Sequence, residues 1–176
     1  MIDPLANVPG SDDPLAVLRA CHDRIRGQLG LLEQLCRRLP EFGCDDESRR
    51  AARKLLKYFD TAAPNHDADE EQSLFPRLAS AARAEASALL ERLAVEHQEL
   101  KTIWRLLRPD IAAIEAGKRS VLTPDSVRRI RQAYLKHLDG EEADLLPLAA
   151  ARLDDATLRE IGAEMTARRA ALPRQR

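Results

Sequence analysis

A chain of 176 residues with a net charge of −1 has the length of a single domain, and its balance offers no basic footprint for nucleic acid or an anionic membrane. Only 3% of the residues are aromatic and seven are glycine; with abundant Leu, Ala, Arg and Glu this argues for helices and against sheets. No run of 18 apolar residues and no basic, apolar leader occurs, so a cytoplasmic protein without a membrane segment is expected.

The cysteines, Cys21, Cys36 and Cys44, are odd in number and lack C-x-x-C spacing, which excludes a disulfide framework and a zinc knuckle. Residues 1–12 read as an irregular lead-in. Asp12 or Asp13 then caps a first helix with Pro14 in its opening turn. Leu15, Leu18, His22, Ile25, Leu29, Leu32, Cys36 and Leu39 recur along it in steps of three and four, a seam for a helical partner. Pro40 and Gly43 end it.

A second helix starts at Asp45 or Asp46 and turns Ala52, Leu56, Phe59, Ala63, His66, Glu70 and Leu74 inward. Pro64 predicts a kink just before His66, and Pro76 a further bend or the approach to the end. The third helix, residues 84–116, carries Leu90, Leu93, His97, Leu100, Trp104, Leu107, Ile111 and Ile114, with Pro109 bending its far part and Gly117 closing it. Thr123-Pro124-Asp125 opens the fourth, whose inner positions are Val127, Ile130, Tyr134, His137, Glu141, Leu145 and Leu148. A short fifth helix capped by Asp154 presents Leu158, Ile161 and Met165, before a tail over residues 171–176. The arginine pairs at 37–38, 49–50, 128–129 and 168–169 read as solvated faces.

The sum is an all-α, up-down-up-down four-helix bundle over residues 13–170, including the short fifth helix. Each long helix bears one histidine on its seam, and the two halves repeat: His97 lies 75 residues after His22, and His137 lies 71 after His66. If a seam takes two to three positions in seven, chance puts all four histidines there in about 1–3% of arrangements. Glu70 follows His66, and Glu141 follows His137, by four residues, on the same helix face. A buried carboxylate needs a cation, and no Lys or Arg lies on these seams at the right level. Four imidazoles and two carboxylates suit two borderline ions, with iron, manganese or zinc fitting better than copper(I), calcium or magnesium. Lone glutamates with Glu-x-x-His, the ferritin-like order, are absent.

At His22, His66-x-x-x-Glu70, His97 and His137-x-x-x-Glu141, and in the Glu-Glu-x-x-Leu-Phe-Pro run after His66, the chain resembles the hemerythrin family, in particular bacterial HHE cation-binding domains. The resemblance implies a di-iron centre with an oxo or hydroxo bridge. His22 and His66 would serve one iron, His97 and His137 the other, and Glu70 and Glu141 would bridge them. Oxygen-carrying hemerythrins have a further histidine where this chain has Lys101, and an aspartate where it has Glu142. Four histidines and two glutamates resemble instead the di-iron proteins of nitrosative stress and iron–sulfur cluster repair, whose usual N-terminal cysteine-bearing module has no match here.

The function so implied is binding of oxygen or nitric oxide for sensing, scavenging or storage, served by a redox partner, rather than classical enzyme catalysis. The alternative is an enzyme or iron donor in cluster repair. Tyr134, Lys101 and Gly140 are candidates around the bound ligand. Asp67, Asp69, Glu71 and Asp144 are candidates for supporting the metal ligands, with most of them in solvent; Cys21 reads as a packing residue.

Overall fold

The computed structural model describes residues 13–119 and 121–171; the lead-in and most of the tail lie outside them. Among the described residues the elements are all helical: α1 (Pro14–Phe42), α2 (46–81), α3 (Arg83–Glu115), α4 (124–152) and α5 (Asp155–Ala170). Capping side chains set three of the starts. Asp13 accepts from the Ala16 amide at 2.9 Å, Asp45 from Ser48 at 2.8 Å and Asp154 from Thr157 at 2.8 Å, each filling one of the unpaired N–H groups of a first turn. Thr123 begins α4 without a side-chain cap bond. At the end of α3, Gly117 takes φ +72°, and Lys118 and Gly117 bond back to Ala113 and Ile114; only glycine adopts this left-handed conformation without strain.

Connections of one to eight residues force successive long helices antiparallel, and α1 closes against α4. No described helix is long and apolar enough to cross a membrane.

Three prolines inside the helices, Pro64, Pro76 and Pro147, each follow a wide turn. Ala63, Phe75 and Leu146 donate to the carbonyls of Tyr58, Glu70 and Glu141, five residues back, and each stands directly before a proline. The extra residue in a π turn moves the preceding carbonyls away from the proline ring. α2 therefore continues through Pro64 and Pro76 to Ala81, and α4 through Pro147 to Arg152. α3 runs through Pro109 as an unbroken α-helix.

These turns also move the buried face by one residue. After Glu141 the inner positions are Leu145, Leu146 and Ala149, and Leu148, expected inside, is only half-buried. Leu55 and Leu35 are likewise sealed where Leu56 and Cys36 were expected.

Two apolar clusters fill the bundle. One, from Ile25 to Leu39 with Leu55, Phe59, Trp104, Ile111 and Ile130, lies toward the α1–α2 and α3–α4 connections. The other, with Leu18, Leu74, Leu78, Leu93, Leu145 and Leu153, is covered by Ile161 and Met165 of α5. Each fully buried Leu or Ile contributes about 1.5–3 kcal/mol. Along every long helix the histidine falls between a residue of one cluster and a residue of the other, so a polar layer is walled on both sides.

Candidate metal centre

In that layer His66 and Glu70 of α2 face His137 and Glu141 of α4, with His22 arriving from α1 and His97 from α3. All six residues are buried, none more than 3% exposed. Glu141 Oε1 lies 2.8 Å from His137 Nε2 and 3.6 Å from His97 Nε2. Its Oε2 lies 3.2 Å from His22 Nε2 and 4.0 Å from His66 Nε2. Glu70 divides its oxygens in the same way, Oε1 at 3.7 Å from His66 and Oε2 at 3.2 Å from His97.

Each carboxylate thus spans from one histidine pair to the other. The donor atoms of His22, His66, Glu70 and Glu141 lie within 4.8 Å of one another, and so do those of Glu70, His97, His137 and Glu141. Two four-membered cages share both glutamates.

Whether a cation fits is decided by what these atoms lack. The four Nε2 atoms and four carboxylate oxygens are sealed from solvent without a hydrogen-bond partner among the described residues; even the 2.8 Å approach lacks hydrogen-bond direction. Eight such atoms in one pocket are costly unless something else satisfies them. Electrostatics point the same way. Burial, and then the charge of Glu141, drives the Glu70 carboxyl well above the usual range, while the imidazoles of His137, His22 and His97 overcome burial to hold Glu141 well below it. Burial opposes protonation of His97, but Glu141 and Glu70 outweigh it and push its imidazole up to about 11. Burial pulls His66 down to about 3, leaving it neutral with one ring nitrogen bare. Metal-free, the pocket ionises one carboxylate easily and resists the second. A divalent cation in each cage removes the conflict.

A second ring of charges holds the imidazoles. The π turns beginning at Glu70 and Glu141 aim each glutamate inward and leave the next residue to reach the same imidazole from its outer edge. Glu142 accepts from His22 Nδ1 at 2.9 Å and from Arg26 at 2.7 Å. Glu71 accepts from His97 Nδ1 at 2.8 Å and from Lys101 at 3.2 Å. The two chains match through the internal repeat, because Arg26 and Lys101 each stand four residues after a histidine. His137 Nδ1 is held by Glu96 at 3.0 Å. An imidazole that donates Nδ1–H to a carboxylate keeps its Nε2 lone pair toward the metal and becomes a better donor.

The remaining candidates divide. Lys101 supports Glu71 and lies 3.5 Å from the buried Asp67. Tyr134 packs on Phe59, ring centroids 5.5 Å apart, within the neighbouring apolar cluster. At Gly140 a Cβ would meet Arg92 Nη1 at 3.1 Å, so the glycine admits that guanidinium, which also bonds Asp144 at 2.8 Å.

Asp69 and Arg168–Arg169 correct the expectation that they are solvated. Asp69 is fully buried and held by both arginines of α5, with Arg168 also 3.1 Å from Ser73 Oγ. Cys21 lies in the apolar cluster under α5, its sulfur 3.9 Å from Arg169. Sequence reasoning missed Glu96 and Arg26; the usable signals were the residue before His97 and the cation one turn after each of His22 and His97.

Residues 13–149 match the family described as hemerythrin HHE cation binding domain. An uncharacterized protein of Haemophilus influenzae is 28% identical over 158 residues, covering 90% of this chain and 91% of its own length.

Proposed function

The chain belongs to the hemerythrin HHE cation-binding family, and from that premise we propose that it is a non-haem di-iron protein binding oxygen or nitric oxide for sensing, scavenging or storage. The observation that carries the reading is the set of eight sealed, unpartnered donor atoms shared between two cages. Nitrogen and oxygen donors without thiolate suit iron, manganese or zinc, and iron is the one of these whose reduced form readily binds such gases. Two imidazoles and two shared carboxylates give each ion four protein donors, fewer than the six that iron accepts in octahedral sites. When bound, a pair of ferrous ions supplies the redox-active, partly open positions at which a diatomic gas attaches.

The protein's part is to keep those positions defined. Glu71 and Glu142, backed by Lys101 and Arg26, fix the imidazoles of His97 and His22 with Nε2 inward. The apolar clusters on either side exclude bulk water, favouring a small uncharged ligand over a polar substrate.

Adding nitric oxide to the anaerobic ferrous protein is expected to give a visible absorption change that saturates stoichiometrically and reverses on sparging with inert gas. An unchanged spectrum at full iron loading would remove gas binding from the account. Continued consumption of the gas with excess reductant would point to the enzyme reading instead.

A further inference from the structure

Three of the four imidazoles are held from behind by a glutamate, and one is not. His22 has Glu142, His97 has Glu71 and His137 has Glu96. His66 Nδ1 is buried without a hydrogen-bond partner among the described residues. The internal repeat shows where the asymmetry arises. Glu96 directly precedes His97, and the residue directly before His22 is Cys21. The carboxylate that reaches across to His137 thus has a thiol at its counterpart, and that thiol lies 3.9 Å from Arg169. Glu96 is itself flanked by Arg92 at 3.6 Å and Lys136 at 3.5 Å, which favour its ionised form.

We infer that the two cages are unequal: the cage on His97 and His137 fills first, and the cage on His22 and His66 carries the exchangeable ion, because Glu96 holds His137 Nδ1 while no described residue accepts from His66 Nδ1. An imidazole without an acceptor for Nδ1–H is free to place its proton on Nε2, where no lone pair remains for a metal, or to turn its ring. Each metal bound there must first select the tautomer and orientation that Glu96 supplies on the other side. Losing such a supporting partner typically weakens metal binding about 10–100-fold. Glu96 is a positioning residue, acting on the ion only through His137. The inference rests on the two-ion reading of the same site.

Cobalt(II) titrated into metal-free full-length protein, followed by visible absorption against a competing chelator, tests it. The wild type is expected to fill in two steps about 10–100-fold apart. Glu96→Gln weakens the tighter step by a similar factor and leaves the weaker unchanged, so the two merge. His137→Ala removes the tighter step and His66→Ala the weaker. Chelator added to the loaded wild type, which needs no variant, should withdraw one ion fast and the other slowly. Two equal steps, single-phase withdrawal, or a Glu96→Gln effect confined to the weaker step would overturn the inference and leave the di-iron reading intact. Failure to bind any cobalt would overturn both, and unequal steps in a protein indifferent to nitric oxide would overturn gas binding alone.

Discussion

Glu141→Gln is expected to abolish stable two-ion binding while leaving the metal-free protein folded and melting within a few degrees of the metal-free wild type. Glu141 approaches all four imidazoles to 4.0 Å or less, one oxygen to each pair, so in the glutamine variant one cage loses its donor to an NH2 group and the other keeps only a neutral amide oxygen. In the metal-free state the loss is offset. Glu70, pushed up by burial and by the Glu141 charge, becomes free to ionise against His97 once that charge is gone. The wild type, by contrast, should gain stability on loading. At a free metal concentration 1,000 times the dissociation constant, one site alone contributes about 4 kcal/mol, which raises the Tm of a chain this size by roughly 10 °C. Thermal melts of both proteins with and without metal check this. If Glu141 served only as a salt-bridge partner in a metal-free core, removing it would leave uncompensated buried charge and cost about 3–5 kcal/mol. A large drop in the metal-free melt would therefore favour that reading.

A second large effect is expected away from the cages. Asp69→Ala should destabilise the protein by about 2–4 kcal/mol, somewhat less than breaking a fully buried pair because its partners keep some solvent. Asp69 has no exposure, whereas the side chains of Arg168 and Arg169 each retain 19%. The cost falls on α5, whose buried polar hold on α2 passes through this carboxylate and Ser73, beside the more exposed Arg77–Glu164 pair. The expected result is a Tm lower by about 5–15 °C together with faster amide exchange in Asp155–Ala170 than elsewhere. Uniform exchange and an unchanged Tm would show that Ile161, Met165 and the Arg77–Glu164 pair secure the helix without Asp69.

Much of this arrangement was legible in the residues. Apolar steps of three and four place the inner faces of α1 and α3, the capping aspartates mark three starts, and the histidines announce themselves by standing where leucine belongs. What remained hidden has a physical cause. A π turn adds one residue to the helical repeat, so the seam after Glu70 and Glu141 advances in consecutive fours, through Leu74 and Leu78 and through Leu145 and Ala149. A reading at 3.6 residues per turn puts Leu148 inside instead. Glu71 stands among the candidates for supporting the metal ligands, but Glu142 looks like a solvated neighbour of Glu141 until the wide turn shows how both reach a single imidazole. Asp69 and Arg168–Arg169 lie about 100 residues apart, and no local pattern links them. Their pairing becomes visible only when α5 packs across the bundle.

The most direct measurement is the metal content of the untagged wild type, read per chain by elemental analysis, with anomalous scattering to locate each ion. Two iron ions per chain, one beside His22 and His66 and one beside His97 and His137, are predicted. Protein that stays free of metal when iron, manganese and zinc are all supplied, or that binds ions only at surface carboxylates, would contradict the account.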